Sequence, residues 1–169
     1  MPDKGRFEAR GSEKLIVWTI GTSDRGLEEF LSLLEAYQID AIIDVRRFPT
    51  SKHNHFKREY LEASLNQRGI AYHHVTELGG YRKGGYREFM KTPEFEHGLR
   101  YVEELAASQR VALMCAELLF FRCHRRFIAD TLNERGYTVL HIIDEKRSYE
   151  HKGKEEKHES VTLDAFLDM

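Results

Sequence analysis

The sequence predicts an α/β fold: a single three-layer domain with a mostly parallel sheet of about five strands and helices on both faces. Three observations predict it. Short apolar, β-branched runs alternate along the chain with stretches whose apolar residues recur at helical spacing. One of those runs, 40–45 (DAIIDV), is apolar throughout its middle, as a strand covered on both faces would be. Gly69 and Gly136 stand where two of the helical stretches should stop.

The first expected strand is 14–20 (KLIVWTI). Gly21-Thr22-Ser23-Asp24 breaks it and offers N-caps for a helix carrying Leu27, Phe30, Leu31, Leu34 and Tyr37. The second strand, 40–45, leads into 46–58, which has no acidic residue and no regular period, hence a basic loop. Tyr60, Leu61 and Leu65 mark a helix over 59–68, followed by a third strand over 70–75. Residues 77–87 hold Gly79-Gly80 and Gly84-Gly85 with tyrosines between them, predicting a second long loop. Pro93 suits the first turn of a helix through Phe95, Leu99, Val102 and Leu105. The fourth strand is 111–115, then comes a helix over 123–135 with Phe127, Ile128 and Leu132 inward, and the fifth strand is 137–143.

A chain of 169 residues can bury one substantial core. A net charge of -2, with 41% hydrophobic and 32% charged residues, excludes a uniformly basic nucleic-acid coat and describes an ordinary soluble domain. No apolar run approaches the ~20 residues of a membrane span, so no membrane partner is expected. Residues 1–13 lack the apolar centre of a secretory signal and read as a disordered leader. The α/β domain is placed at 14–144. Residues 145–169 read as a charged tail in which Leu163, Phe166 and Leu167 form a short docking segment. Two cysteines without a secretory signal predict a reducing, cytoplasmic setting without a structural disulfide.

Right-handed crossovers would put every strand-to-helix loop on the carboxyl edge of the sheet, where ligands bind in such folds. Gly21 and Ser23 follow the first strand there. Asp44, Arg46 and Lys52 come from the second, and Gly79, Gly80 and Arg82 from the third. Cys115, Glu117, Cys123, His124 and Arg125 come from the fourth, with Arg47 and Arg122 on the same edge. So many converging cations predict an anionic partner, a phosphate-bearing small molecule or nucleic acid, held by the glycines, Ser23, Asp44 and the basic residues. The catalytic candidates are Cys115, Glu117, Cys123 and His124. A helix N-terminus favours a cysteine thiolate, and Glu117 is the natural general base or else the counter-charge of Arg125. The plainer readings are that Cys115 is a small buried hydrophobe, that Arg46 merely pairs with Asp44, and that His141 is satisfied in the core.

Thr19-Ile20-Gly21-Thr22-Ser23, Ile43-Asp44-Val45-Arg46 with Phe48-Pro49, Leu78-Gly79-Gly80, and Met114-Cys115-Ala116-Glu117 with Cys123-His124-Arg125 resemble the bacterial and archaeal "domain of unknown function 488" family. The similarity runs from about Leu15 to Ile143 and implies a compact α/β protein without naming an activity. One departure is the link Leu118-Leu119-Phe120-Phe121-Arg122, where a polar, acidic or proline-containing segment is expected. A slighter analogy to rhodanese-like domains lies in Ile42–Arg46 and a later cysteine at a strand end, but Cys115 to Arg122 is too long for their anion-cradling loop.

Three functions stay open. One is an enzyme acting on a phosphate-bearing or nucleic-acid-derived substrate, with Cys115 or Cys123 as nucleophile and Glu117 or His124 moving protons. Another is a nucleic-acid-binding module that stacks bases on Tyr81 and Tyr86. Neither requires a cofactor. The last is a metal site of Cys115, Glu117, Cys123 and His124, suited to zinc or iron. Residues 118–121, if exposed, would give a homodimer contact.

Overall fold

The computed structural model describes residues 15–153; the expected leader and the docking segment with Leu163, Phe166 and Leu167 lie outside them. Six strands, β1 (Ile16–Gly21), β2 (Ala41–Asp44), β3 (Ala71–His74), β4 (Val111–Cys115), β5 (Thr138–Ile142) and β6 (Ser148–Glu150), form one sheet in the order β3-β2-β4-β1-β5-β6. Every pairing is parallel except β5 with β6. The helices are α1 (Leu27–Ala36), α2 (Arg58–Gln67), the short α3 (Tyr86–Phe89), α4 (Pro93–Ala106) and α5 (Arg125–Glu134). The expected three-layer α/β architecture is present.

Successive strand residues point to opposite faces, and this alternation divides the core in two. Trp18, Ile20, Ile42, Ala112 and Met114 pack under α1 and α2 against Phe30, Leu34, Leu61 and Leu65. Val17, Ile43, Leu113 and Val139 face the other way, against Leu99 and Val102 of α4 and Ile128 and Leu132 of α5. Both sides of the central strands are therefore apolar, which is why they read as unbroken hydrophobic runs.

Local chemistry sets the helix limits. Thr92 caps α4 by accepting from the Phe95 amide at 3.3 Å, with Pro93 in the first turn. Gly69 and Gly136, just beyond α2 and α5, take left-handed φ values of 73° and 96°. The helix expected from residue 123 begins at Arg125, because Cys123 is extended and His124 occupies the cap position.

The sheet also continues past Asp144, into what reads in sequence as a charged tail. The Asp144 carboxylate accepts from the Lys146 and Arg147 amides at 2.9 and 2.8 Å, turning the chain back so that β6 pairs with β5. Backbone pairing needs no apolar side chains, and so the hydrophobic pattern does not announce it.

From β1 the chain crosses toward β2 and β3 at one edge; from β4 it crosses toward β5 and β6 at the other. The carboxyl ends of β1, β2 and β4 thus meet where the connections diverge, with Gly21 beside Cys115 and Asp44 beside Met114. Among the described residues no helix is long and apolar enough to cross a membrane.

Candidate functional site

Backbone contacts hold the carboxyl edge together. The Thr22 and Ser23 amides donate to the carbonyls of Cys115 and Ala116, each at 2.9 Å, extending the β1–β4 ladder into the loops. A side chain on Gly21 would place its Cβ 2.1 Å from the Glu117 carbonyl oxygen, and one on Gly79 would lie 2.6 Å from the Cα of Arg47. A Cβ on Gly80 would sit 3.1 Å from Nδ1 of His124. Each of these glycines therefore has a packing reason, the close passage of one loop over another.

Above them opens a cleft of about 620 Å3, bordered by Arg47, Phe48, Tyr81, Tyr86, Glu117 and Arg122, with Cys115, Cys123 and His124 in its lining. The sulfurs of Cys115 and Cys123 are 2.8 Å apart, and both cysteines are free. Cys115 is buried; Cys123 is half-buried, 3.4 Å from Nδ1 of His124 and 3.5 Å from the amide of Arg125. Hydrogen bonding from Cys115 holds the Cys123 thiol well below its ordinary range against the cost of burial, assisted by His124 and the Arg125 cation. Burial, together with the hydrogen bond given to Cys123, pushes Cys115 well above that range. The pair thus divides into a favoured thiolate and a neutral thiol donor.

His124 approaches the Val45 carbonyl with Nε2 at 2.8 Å. A carbonyl only accepts, so Nε2 carries a hydrogen and Nδ1 is turned to Cys123, where it accepts from the thiol or, once it has taken that proton, donates to the thiolate. Tyr86 packs beside this ring with centroids 5.3 Å apart, its hydroxyl donating to the Leu78 carbonyl at 2.9 Å.

Arg125 lies beneath, 1% exposed. Its guanidinium donates to the Thr19 hydroxyl at 3.1 Å and to the Glu117 and Leu118 carbonyls at 2.6 and 3.2 Å, while Nε has no partner. None of these acceptors is a carboxylate. The Glu117 side chain, a sequence candidate for the counter-charge, is exposed and accepts instead from the Leu119 amide at 3.2 Å. It is the backbone of Glu117 that serves Arg125, and the cysteine sulfurs are what raise its affinity for a proton against burial.

The hydrogen-bond chain behind Arg125 leaves no mark in the sequence. Thr19 Oγ1 meets His141 Nδ1 at 2.5 Å, His141 Nε2 meets His151 Nδ1 at 2.9 Å, and His151 Nε2 meets Asp130 at 2.7 Å. His141 is satisfied in the core, as its plainer reading has it. His151 follows β6, in the stretch that reads in sequence as a charged tail, and no local pattern links these residues.

Other candidates are engaged elsewhere. Arg46 lines the cleft, but it forms a buried two-pronged pair with Asp44, at 2.9 and 2.8 Å, and its Nη1 donates to the Phe56 and Thr50 carbonyls at 2.8 and 3.2 Å. Arg82 borders the cleft but donates to the Gly79 and Thr76 carbonyls at 2.9 and 2.6 Å and lies 3.9 Å over the Phe89 ring. Ser23 and Lys52 stand outside the lining, Lys52 pairing with Asp24 at 3.3 Å on the surface. Arg47 and Arg122, not singled out by any motif, face the cleft instead. Among the described residues no group of three or more His, Cys, Asp or Glu side chains is arranged to hold a metal ion.

The unusual link 118–121 is an anchor. Phe120 is 1% exposed and stacks on His141 at 3.7 Å with an interplanar angle of 4°. It also stacks on Tyr149 of β6 at 5.5 Å. The expectation that this stretch offers an apolar contact to a second copy therefore loses its central side chain to the interior. Large exposed apolar side chains among the described residues include Phe48 (65%) and Tyr81 (89%), both at the cleft.

Fold and site together define an α/β protein whose parallel sheet presents a cysteine–histidine pair over a buried arginine. The chain belongs to the family described as Domain of unknown function DUF488, whose model matches residues 26–132, in agreement with the motif resemblance. No curated protein and no solved structure matches it.

Proposed function

We propose that the protein is an enzyme that takes an anionic substrate, phosphate-bearing or derived from nucleic acid, into this cleft and attacks it with Cys123. The observation that carries the reading is the position of the Cys123 sulfur, 2.8 Å from the Cys115 thiol and 3.4 Å from His124 Nδ1 at the start of α5. These neighbours supply what a sulfur nucleophile needs: a donor that favours the thiolate and a base to receive its proton. His124 returns that proton to the leaving group, and Glu117, exposed at the cleft, is the second proton carrier. Arg47 and Arg122 supply positive charge for the anion.

A covalent-trapping experiment tests this. The reduced protein is mixed with phosphorylated compounds and nucleotides, quenched, and weighed intact. The expected result is a substrate-derived adduct that maps to Cys123 and vanishes in Cys123→Ser. Turnover that survives in Cys123→Ser overturns the reading.

One observation favours a second reading, a nucleic-acid-binding module. Phe48 and Tyr81 expose their rings at the cleft beside Arg47, a combination suited to stacking bases along a charged backbone. It predicts affinity for single-stranded oligonucleotides that falls steeply with salt.

A further inference from the structure

We infer that Cys115 and Cys123 form a two-electron redox couple, in which Cys123 reacts with a peroxide or a small disulfide entering the cleft and Cys115 resolves the product as an intramolecular disulfide. The couple shares Cys123 with the proposed function but needs no anionic substrate, and its test reads thiols alone.

Geometry is the first support. The two sulfurs are 2.8 Å apart while both cysteines are free, against roughly 2.05 Å for the S–S bond, so closure needs less than about 1 Å of movement. Both ends are held for it. Cys115 closes the β4 ladder opposite Gly21, and Cys123 directly precedes the cap of α5.

The second support is the division of labour. Cys123 is half-buried in the cleft lining, and Cys115 is 3% exposed. An oxidant from solvent meets Cys123 first. Its sulfur attacks one peroxide oxygen, the O–O bond breaks, the other oxygen leaves as an alcohol or water after taking a proton, and Cys123 becomes a sulfenic acid. Cys115 then loses its proton as its sulfur attacks Cys123, the S–O bond breaks, and the hydroxyl leaves with that proton as water. With a small disulfide as oxidant, the first step forms a mixed disulfide and releases a thiol, and the second releases another. Two thiol equivalents from a small-molecule reductant reopen the bond by the reverse exchange.

Arg125 sets the direction of the couple. It is buried, and the oxygens it donates to are all neutral, so the charge that balances it is that of the cysteine sulfurs. Disulfide formation removes the sulfur charge beside this cation and leaves it uncompensated. The reduced form is therefore the stabilised one, and the disulfide is strongly oxidising and easily reduced by a monothiol.

The experiment treats the full reduced chain with hydrogen peroxide or oxidised glutathione and follows maleimide-reactive thiols, intact mass and cross-linked peptides. Both thiols should disappear together, with loss of two hydrogens and a Cys115–Cys123 peptide. Cys115→Ser should stop at a dimedone-reactive sulfenic acid or a stable glutathione adduct on Cys123. Against a glutathione buffer, Arg125→Met should shift the equilibrium at least tenfold toward the disulfide. His124→Gln, which leaves the buried cation in place but removes a second stabiliser of the same Cys123 thiolate, should shift it the same way, and an unshifted equilibrium in both variants overturns the assigned direction. Two thiols untouched by both oxidants overturn the inference. So does wild-type oxidation that stays on Cys123 while Cys115 remains free.

Discussion

His124 donates its Nε2 hydrogen to the carbonyl of Val45 at 2.8 Å, and that bond decides which nitrogen faces Cys123. Two neighbours act on the Cys123 thiol in a definite order. The hydrogen bond from Cys115 is the larger stabiliser of the thiolate and His124 a lesser one. Cys115→Ala should therefore raise the pH at which Cys123 titrates by more than His124→Gln does. Alkylation rate against pH checks it, with about a tenfold loss in thiolate population per pKa unit once the pH lies below the new value. Because the folded thiol's pKa is depressed, the stability it contributes is fully present above the unfolded thiol's pKa. That contribution is lost as pH falls through the folded one, so the part of each variant's stability loss that comes from the thiolate should vanish in acid.

Gly21 and Gly80 should separate structure from reactivity. Gly21→Ala drives a Cβ to 2.1 Å from a backbone oxygen that cannot move alone. It should cost at least about 2 kcal/mol in denaturant unfolding. Gly80→Ala meets the His124 ring at 3.1 Å, a side chain that can shift. Its unfolding midpoint should change little while the pH profile of Cys123 alkylation moves upward.

Phe120→Ala should be among the most destabilising single changes at this end of the sheet, by about 3–5 kcal/mol. The side chain is 1% exposed and stacked against His141 at 3.7 Å. Hydrogen exchange should show the loss reaching the amides of β6, since Tyr149 rests on the same ring.

Arg47→Ala and Arg122→Ala should each weaken binding of a phosphorylated ligand about tenfold, the worth of one charge-assisted contact. Lys52→Ala should not, because Lys52 pairs with Asp24 outside the cleft lining. Isothermal titration with inorganic phosphate and nucleotides distinguishes the three.

Much of this architecture could be read from hydrophobic periodicity. The runs through Val17, Ile43 and Leu113 predict buried parallel strands, and the crossover rule brings Cys115 and Cys123 to one edge with the arginines. Periodicity does not report what the backbone does between elements. Nothing local says that Gly21 passes over Glu117, or that Arg125 takes the backbone of Glu117 and not its carboxylate. His151 and β6 escaped because short strands held by main-chain pairing and polar contacts leave no apolar signature. Asp44 and Arg46 were the opposite case, since residues two apart at a strand end are within reach of one another from any starting assumption.

The sheet order also bears on what counts as a unit of this protein. The family match spans 26–132, whereas β1 lies before it and β5 and β6 after it. Yet β1 is the strand that joins β4 to β5, and it carries Thr19, on which Arg125 rests. A fragment cut to the matched boundaries would lack β1, β5 and β6, half of the sheet, leaving one side of β4 unpaired and α5 without its last two residues. The segment by which kinship is recognised and the segment that completes the sheet are different lengths of the same chain. A recombinant piece intended to retain the cysteine pair must therefore begin before Ile16 and run beyond His151.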